Sequence, residues 1–252
     1  MKKVSSTIIY LVLLFLLNSC AKKHYEIKNI TGFLVEMNDS FDKNPNLKML
    51  SFVQSYKDRL DAEMHEVIGE ATINITKSGM QSVLANFTAD AMHEYAENIW
   101  GTVDFAVINN GGHRSTYNKG SITVGNLYEI YAFENCLVLL ELQGKAVKQL
   151  FDDFARNKME GFSKNVHLTI KNNVIESFTI GGKPLDEEAI YRVVTVDYLA
   201  EGNDGMQALT QATQYSDSFI ILRDAMIEYI KNLTADNKKI YAIPDDRIEF
   251  KE

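Results

Sequence analysis

Residues 103–114 read VDFAVINNGGHR, a short apolar run that ends in two asparagines, two glycines, a histidine and an arginine. A continuous apolar run of this length is typical of a strand buried on both faces. A second run, IYRVVTVDYL at 190–199, leads in the same way into EGNDG at 201–205. The sequence therefore predicts two buried strands. Each is followed by a loop whose glycines bring the backbone close to a ligand or serve an ordinary turn.

Helical and extended patterns alternate irregularly around these two strands. Apolar residues at helical spacing predict an amphipathic helix at 46–67 and further helices at 78–100, 144–156 and 218–233. Further strands are expected at 71–76 and 135–142, in a hairpin at 166–180 that turns at Asn172-Asn173, and at the C-terminal edge segment DDRIEF. This mixture favours an α+β fold, with a mixed sheet flanked by helices in a layered sandwich.

The N-terminus has the pattern of a secretory signal, which we assign to residues 1–19. LLNSC at 16–20 resembles a bacterial lipobox, which implies a lipid on Cys20; the alternative is a plain signal peptide with an incidental cysteine. The following Ala21-Lys22-Lys23 lacks an acidic residue, which by resemblance to other lipoproteins implies membrane anchoring at the outer membrane, facing the periplasm. Residues 20–45 are expected to form a tether and a first strand, and residues 46–252 one domain.

The charge balance excludes one class of partner. The chain has 26 Lys and Arg against 34 Asp and Glu, a formal net charge of −8. Proteins that bind nucleic-acid polymers need a basic face, so no nucleic acid is expected as a partner. A small anionic ligand held by a local arginine remains compatible with this charge.

Motifs for hydrolytic chemistry are missing from the sequence. No two histidines after residue 20 have the three- to five-residue spacing of a compact metal-ligand pair. MHEV and MHEY begin like HExxH but lack its second histidine, and neither a G-x-S-x-G motif nor a P-loop occurs. The sequence therefore predicts no catalytic residue, no metal site and no cofactor in this chain.

Residue types suited to ligand binding lie near the two glycine loops. Arg114 can donate hydrogen bonds in a planar fork to carboxylate or phosphate oxygens. Phe133 and Tyr198 offer flat rings on which a planar base can stack. Asp204 can accept hydrogen bonds from two hydroxyl groups, as ribose recognition requires. Taken alone, Phe133 fits a core position and Asp204 fits a turn equally well.

Several motifs, in order, resemble the C-terminal domain of the bacterial 5′-nucleotidase and UDP-sugar hydrolase family. They are QSVLANFTADAM at 81–92, NNGGHR at 109–114, AFEN at 132–135 and YRVVTVDYLAEGNDG at 191–205. The resemblance covers residues 67–250 and implies the α+β fold of that domain. It also implies that the chain binds the nucleoside end of a nucleotide.

The resemblance assigns the substrate-binding residues. They are Arg114, Phe133, Asn135, Tyr198 and Asp204, the loop residues Asn110, Gly111 and Gly112, and Gly161 before the central hairpin. Three positions depart from the family pattern: Lys77-Ser78 stands where an arginine is usual, Ala132 replaces a proline, and the second loop is GNDG. In that loop Asn203 is expected to adopt a positive φ.

The family's catalytic metallophosphoesterase domain has no counterpart here, because only residues 21–66 lie between Cys20 and the start of the resemblance. The resemblance therefore implies the nucleoside- or nucleotide-recognition part of a split 5′-nucleotidase in nucleotide catabolism. Divalent metals are expected on a separate metallophosphoesterase, and this chain alone is expected to be inactive. Two alternatives stay open: a non-catalytic nucleoside- or nucleotide-binding lipoprotein, and a degenerate scaffold.

Overall fold

A computed structural model describes residues 25–36, 38–77, 81–157 and 160–251. The signal segment, Cys20 and the predicted start of the second helix at 78–80 lie outside the described residues. The chain divides into two compact units, residues 1–50 and 51–252. No helix in the described part combines the length and the apolar character needed to cross a bilayer.

The secondary-structure elements alternate as an α+β fold. The helices are α1 (Leu47–Met64), α2 (Val83–Trp100), α3 (Val124–Ile130), α4 (Gly144–Asn157), α5 (Asp197–Ala200) and α6 (Leu222–Ala235). The strands are β1 (Val67–Ala71), β2 (Phe105–Asn109), β3 (Gly120–Thr123), β4 (Cys136–Gln143), β5 (Glu160–Phe162), β6 (Val166–Lys171), β7 (Val174–Ile180), β8 (Lys183–Pro184), β9 (Ile190–Val196), β10 (Gln214–Ile221) and β11 (Ile248–Lys251).

The central sheet has the strand order β10-β4-β9-β2-β5. The two predicted buried strands are confirmed as β2 and β9, which are parallel neighbours with Phe105 opposite Val193. β4 runs antiparallel to β9, with Leu139 opposite Val194. The carboxyl ends of β2 and β9 and the start of β4 therefore meet at one edge of the sheet, and they bring both glycine loops to that edge.

Two smaller sheets complete the described fold. One of them has the strand order β11-β6-β7-β8. Its hairpin of β6 and β7, predicted from the sequence, turns at Asn172 and Asn173, whose φ angles are 50° and 61°. Asparagine tolerates this left-handed conformation better than most residues. The predicted C-terminal edge strand is confirmed as β11, which pairs in parallel with β6. β1 pairs with β3 in a two-stranded sheet.

Aromatic side chains dominate the core around α4. The rings of Phe105, Phe151 and Phe162 are fully buried, with centroids between 5.0 and 6.5 Å apart. Phe151 also contacts Phe178 of β7 at 5.0 Å, so α4 packs against both of the larger sheets. α2 packs on β2 and β5. Every residue of β2 is buried, as expected for a strand covered on both faces.

Three local predictions are wrong. The segment 71–76 is not a strand, because β1 ends at Ala71 and Ile75 forms only an isolated bridge with Tyr117. Residues 25–36 and 38–45 contain no strand. The segment 218–221 belongs to β10 rather than to a helix, since the strand pairs with β4 before α6 begins.

The first helix is present, and it ends earlier than predicted. α1 ends at Met64, and none of its residues is buried. Helix α2 begins at Val83, where the Ser82 hydroxyl caps it by accepting a hydrogen bond from the Ala85 amide at 3.1 Å. Thr123 caps α3 in a reciprocal capping box with Asn126.

Candidate functional site

A cleft of about 220 Å³ lies at the edge of the central sheet where β2 and β9 end and β4 begins. Seven of the nine predicted substrate-binding residues line it: Gly111, Gly112, Arg114, Phe133, Asn135, Tyr198 and Asp204. They come from three loops far apart in the sequence. Because a mostly apolar cleft with a few convergent polar groups is the usual form of a small-molecule site, this edge is the candidate site of the chain.

The first glycine loop approaches the second through Asn109, the last residue of β2. The Asn109 side chain is buried and donates from Nδ2 to Asp204 Oδ2 at 2.5 Å. A Cβ at Gly112 would lie 2.9 Å from Asn109 Oδ1, closer than real side chains allow, whereas a Cβ at Gly111 would meet Asp204 Oδ2 at an ordinary 3.6 Å. Gly112 therefore makes room for the hydrogen bond that joins the two loops.

Asp204 stands at the centre of the second loop. Its φ is 54°, and the flanking Gly202 and Gly205 have φ angles of 86° and 84°. Asn203, where a positive φ is expected from the sequence, does not have one; its side chain instead donates to the Tyr198 carbonyl at 2.7 Å. The left-handed turn thus falls on Asp204, an aspartate that tolerates it, and projects the carboxylate toward the cleft.

The Asp204 carboxylate is oriented by two donors. Tyr198 donates from its hydroxyl to Oδ1 at 3.0 Å, and Asn109 donates to Oδ2. The hydrogen bond to Asp204 raises the pKa of Tyr198 above its ordinary value. Since an ionised carboxylate can accept about four hydrogen bonds, Asp204 keeps capacity for two ligand hydroxyls.

Two aromatic rings and one guanidinium form the mouth of the cleft. Phe133 and Tyr198 are 45% and 42% exposed, so neither ring is a core residue. The Arg114 guanidinium lies over the Phe133 ring, with Cζ 4.9 Å from the centroid. Asn135 donates to Asp197 Oδ1 at 2.9 Å, which ties the start of β4 to the end of β9. Arg114 forms no ion pair with any carboxylate of the described residues.

Two predicted site residues lie outside the cleft. Asn110 accepts from the Ser82 hydroxyl at 2.7 Å and donates to the Lys77 carbonyl at 3.1 Å, so it anchors the loop to the start of α2. Gly161 of β5 is buried against α2, where a Cβ would lie 2.4 Å from the backbone carbonyl carbon of Ala85. Both residues support the fold around the site without lining it.

The sequence analysis misses several lining residues, among them Asn109, His113 and Tyr131. Asn109 could have been found, because an asparagine that ends a fully apolar strand is buried and needs a partner. Tyr131 is 3% exposed and reaches the cleft only through the turn that follows α3, which no local pattern indicates. The Lys77 ammonium donates to the His113 carbonyl at 3.0 Å, so this departure from the family pattern holds the loop that carries Arg114.

A buried hydrogen-bond network lies under the Arg114 loop. Thr88 donates to the Leu84 carbonyl at 2.9 Å, and its hydroxyl oxygen lies 2.9 Å from both His113 Nε2 and the Tyr131 hydroxyl. Because Thr88 has a single proton, it accepts from the other two groups. Tyr117 extends the network to Tyr131 at 3.2 Å. The loop therefore rests on a polar network whose side chains are almost fully buried.

His113 is neutral within this network at ordinary pH. Burial lowers its pKa to about 4, and the nearby charge of Lys77 acts in the same direction. The Asn110 carbonyl opposes the change, because it can accept a hydrogen bond from Nδ1 of the charged ring, whereas the neutral ring that donates from Nε2 to Thr88 has no proton on Nδ1. An unfolded histidine has a pKa of about 6.5. Between these two values the unfolded chain binds a proton that the folded chain does not bind.

As the pH falls from about 6.5 to about 4, we expect the free energy of unfolding to decrease by on the order of 3 kcal/mol because of His113 alone. His113→Gln removes the titration and should flatten this part of the profile. Urea unfolding of both proteins at several pH values measures the difference. His167→Gln, at an exposed histidine of β6, is the control and should retain the wild-type slope; identical slopes in wild type and His113→Gln would contradict the assignment.

No set of side chains in the described part of the chain is suited to bind a metal ion. No group of three or more His, Cys, Asp or Glu side chains among those residues is arranged to hold an ion. The carboxylates and the histidine that border the cleft are each tied to protein partners. The arrangement can bind and orient a small polar ligand, and no step of hydrolysis can be derived from it.

The fold and the cleft define an α+β domain with a candidate small-molecule site. Residues 67–211 match the model of the family described as "5'-nucleotidase, C-terminal domain". The chain belongs to this family, which binds nucleotide substrates and usually pairs with an N-terminal metallophosphoesterase domain. The α+β fold predicted from the sequence is thereby confirmed.

Longer proteins share this domain. Protein UshA of Yersinia enterocolitica is 28% identical over 217 residues, which are 83% of this chain and 38% of that protein. The 5′-nucleotidase of Vibrio vulnificus is 25% identical over 214 residues, 81% of this chain and 37% of that protein. The crystal structure of the 5′-nucleotidase precursor from Thermus thermophilus superimposes with a TM-score of 0.69 at 25% identity and covers 81% of this chain and 43% of that one. The chain thus spans less than half the length of these relatives.

Proposed function

We propose that this chain is the nucleoside-recognition part of a split 5′-nucleotidase in nucleotide catabolism. It holds the base and the ribose of a nucleotide, while a separate metallophosphoesterase hydrolyses the phosphate ester. The observation that carries the proposal is the convergence of two exposed rings, a guanidinium and a carboxylate on one cleft: Phe133, Tyr198, Arg114 and Asp204.

Each group in the cleft has a role that its surroundings permit. Phe133 and Tyr198 present accessible rings to a planar base, which gains roughly 1–3 kcal/mol per stacked ring. Asp204 is held by Asn109 and Tyr198 and keeps capacity for the two ribose hydroxyls. Arg114, free of ion pairs with the described residues, is available for an anionic oxygen. The exposure of both rings favours ligand binding over a degenerate scaffold, in which they would pack into the core.

Hydrolysis in this proposal belongs to the partner. Orienting a nucleotide does not cleave it, because the ester needs an activated nucleophile and stabilisation of the developing charge. The metal ions would supply both when bound to the metallophosphoesterase. The role of this chain is to position the nucleoside so that the phosphate points out of the cleft. The lipid expected on Cys20 would hold this binding half at the outer membrane, facing the periplasm.

A reconstitution experiment tests the proposal. The purified chain is mixed with each stand-alone metallophosphoesterase of the same organism, and phosphate release from AMP and other nucleotides is measured with Mn²⁺ or Zn²⁺ present. We expect no release by this chain alone and a gain with one partner. Absence of a gain with every phosphoesterase, combined with micromolar nucleoside binding by the isolated chain, would replace the split enzyme by a binding lipoprotein.

We expect Arg114→Ala to weaken AMP binding by about 10- to 150-fold, since a hydrogen bond to a charged group contributes roughly 1.5–3 kcal/mol. Arg114→Lys should recover only part of the affinity, because lysine retains the charge but lacks the planar fork. Isothermal calorimetry measures both. Arg156→Ala, at an exposed arginine of α4, is the matched control. Equal affinities for wild type and Arg114→Ala would exclude Arg114 from the site.

A further inference from the structure

Helix α1 carries an exposed row of large apolar side chains. Within residues 51–252, Phe52, Val53, Tyr56 and Leu60 are 61%, 47%, 63% and 55% exposed. The rings of Phe52 and Tyr56 contact each other, with centroids 5.2 Å apart. We call these four residues the α1 apolar stripe. Contiguous apolar surface of this kind on a folded protein commonly marks an interaction site.

The four residues share one face of the helix. Positions 52, 56 and 60 are four residues apart, and position 53 lies beside them, so the side chains form a stripe about 12 Å long at 1.5 Å per residue. The opposite face is polar and pairs within itself: Gln54 donates to Asp58, and Lys57 forms an ion pair with Asp61 at 2.5 Å. The helix therefore has the two-faced pattern of a packed helix, but its apolar face has no cover among the described residues.

The charge of α1 argues against a lipid surface as its cover. The helix contains three basic residues, Lys48, Lys57 and Arg59, and three acidic residues, Asp58, Asp61 and Glu63. Helices that lie on membranes are instead rich in Lys and Arg on the polar face, which attract anionic lipids. A balanced polar face with an apolar stripe is the pattern of a helix that packs against protein.

The comparisons bear on which protein packs against the α1 apolar stripe. The match to the Thermus thermophilus structure covers 81% of this chain, about 204 of 252 residues, whereas only 188 residues follow Met64. About 16 or more of the matched residues therefore lie at or before Met64, on the side of the chain that contains α1. In the family, a metallophosphoesterase domain usually stands on the N-terminal side. α1 is thus the described element nearest to where that domain joins the longer chains.

We propose that the α1 apolar stripe is the docking surface for the separate metallophosphoesterase. This inference rests on the proposed function and adds the surface through which the two halves associate. Docking at α1 leaves the nucleoside cleft open, because none of the stripe residues lines it. Binding of the nucleoside and binding of the partner therefore use different side chains and can be disrupted separately.

The test is the double variant Phe52→Gln/Tyr56→Gln in the full chain. Both side chains are exposed, so the free energy of unfolding and the calorimetric affinity for adenosine should stay at wild-type values. The concentration of this chain that gives half-maximal activation of the phosphoesterase should rise about tenfold or more, as expected for loss of central aromatic contacts. Gln54→Ala/Asp58→Ala, with the same spacing on the polar face, is the matched control and should activate normally.

Each other outcome overturns the docking surface. Full activation by Phe52→Gln/Tyr56→Gln, with activation abolished by Arg114→Ala, would refute docking at α1 and leave the proposed function intact. If the double variant activates normally but no longer self-associates in light scattering, the stripe binds a second copy of this chain. If it activates normally but no longer binds phosphatidylglycerol vesicles, the stripe binds a membrane. No activation by the wild-type chain with any phosphoesterase would remove the proposed function and this inference together.

Discussion

Removal of both cleft rings, in Phe133→Ala/Tyr198→Ala, is expected to weaken nucleoside binding by at least about 30-fold. Stacking contributes roughly 1–3 kcal/mol per ring, so the two rings together contribute a minimum of roughly 2 kcal/mol. Both rings are accessible, so their removal leaves no core cavity and should change the free energy of unfolding little. Calorimetry with adenosine, guanosine, cytidine and uridine measures the loss.

The pattern across ligands and variants identifies the cause of the loss. Because every base has a flat face, the affinity should fall for purines and pyrimidines alike. Tyr198→Phe keeps the ring but removes the hydroxyl that donates to Asp204 at 3.0 Å, so it separates stacking from orientation of the carboxylate. Nucleoside affinity unchanged in the double variant would mean that the base lies elsewhere.

Gly161→Ala is expected to lower the free energy of unfolding by about 3 kcal/mol or more. The added Cβ would lie 2.4 Å from the Ala85 carbonyl carbon and 2.7 Å from its oxygen, so the backbone of α2 or β5 must move. Overpacking of a close-packed interior typically costs 1–3 kcal/mol, and a contact with rigid backbone belongs at the upper end. Urea unfolding monitored by circular dichroism measures the change.

Gly111→Ala provides the matched comparison for Gly161→Ala. At Gly111 the added Cβ meets its nearest neighbour at an ordinary 3.6 Å, so stability should change little, while the methyl group enters the cleft and should weaken nucleoside binding. Gly161→Ala should show the reverse pattern, with affinity retained by the folded fraction. Loss of affinity at wild-type stability in Gly161→Ala would restore Gly161 to the site.

The sequence predicts the central strands and loops well because their signals are local. VDFAVIN leads directly into asparagine and glycine, and IYRVVTV is followed by DYLAE and then GNDG; the two runs form the parallel pair at the centre of the main sheet. Phe133 and Asn135 have no such local signal. They were placed beside Arg114 by resemblance to a family, and they do line the same cleft.

Other features depend on contacts that no local pattern contains. Residues 218–221, a serine followed by three apolar residues, fit either a helix or a strand, and the pairing of β10 with β4, some 80 residues earlier, decides for the strand. Gly161 resembles a ligand-binding glycine in sequence, but its requirement for glycine comes from the approach of Ala85 on α2. α1 has the amphipathic pattern predicted from the sequence, yet no described element covers its apolar face.

The bond between Asn109 and Asp204 joins positions 95 residues apart, and the cleft exists only while the central strands are paired. Fraying at one end of the chain therefore leaves the cleft intact, whereas global unfolding removes it. A bound ligand therefore adds its binding free energy to the free energy of global unfolding. Since digestion by proteases follows the population of opened molecules, the lifetime of this protein in the presence of proteases should increase when its ligand is bound.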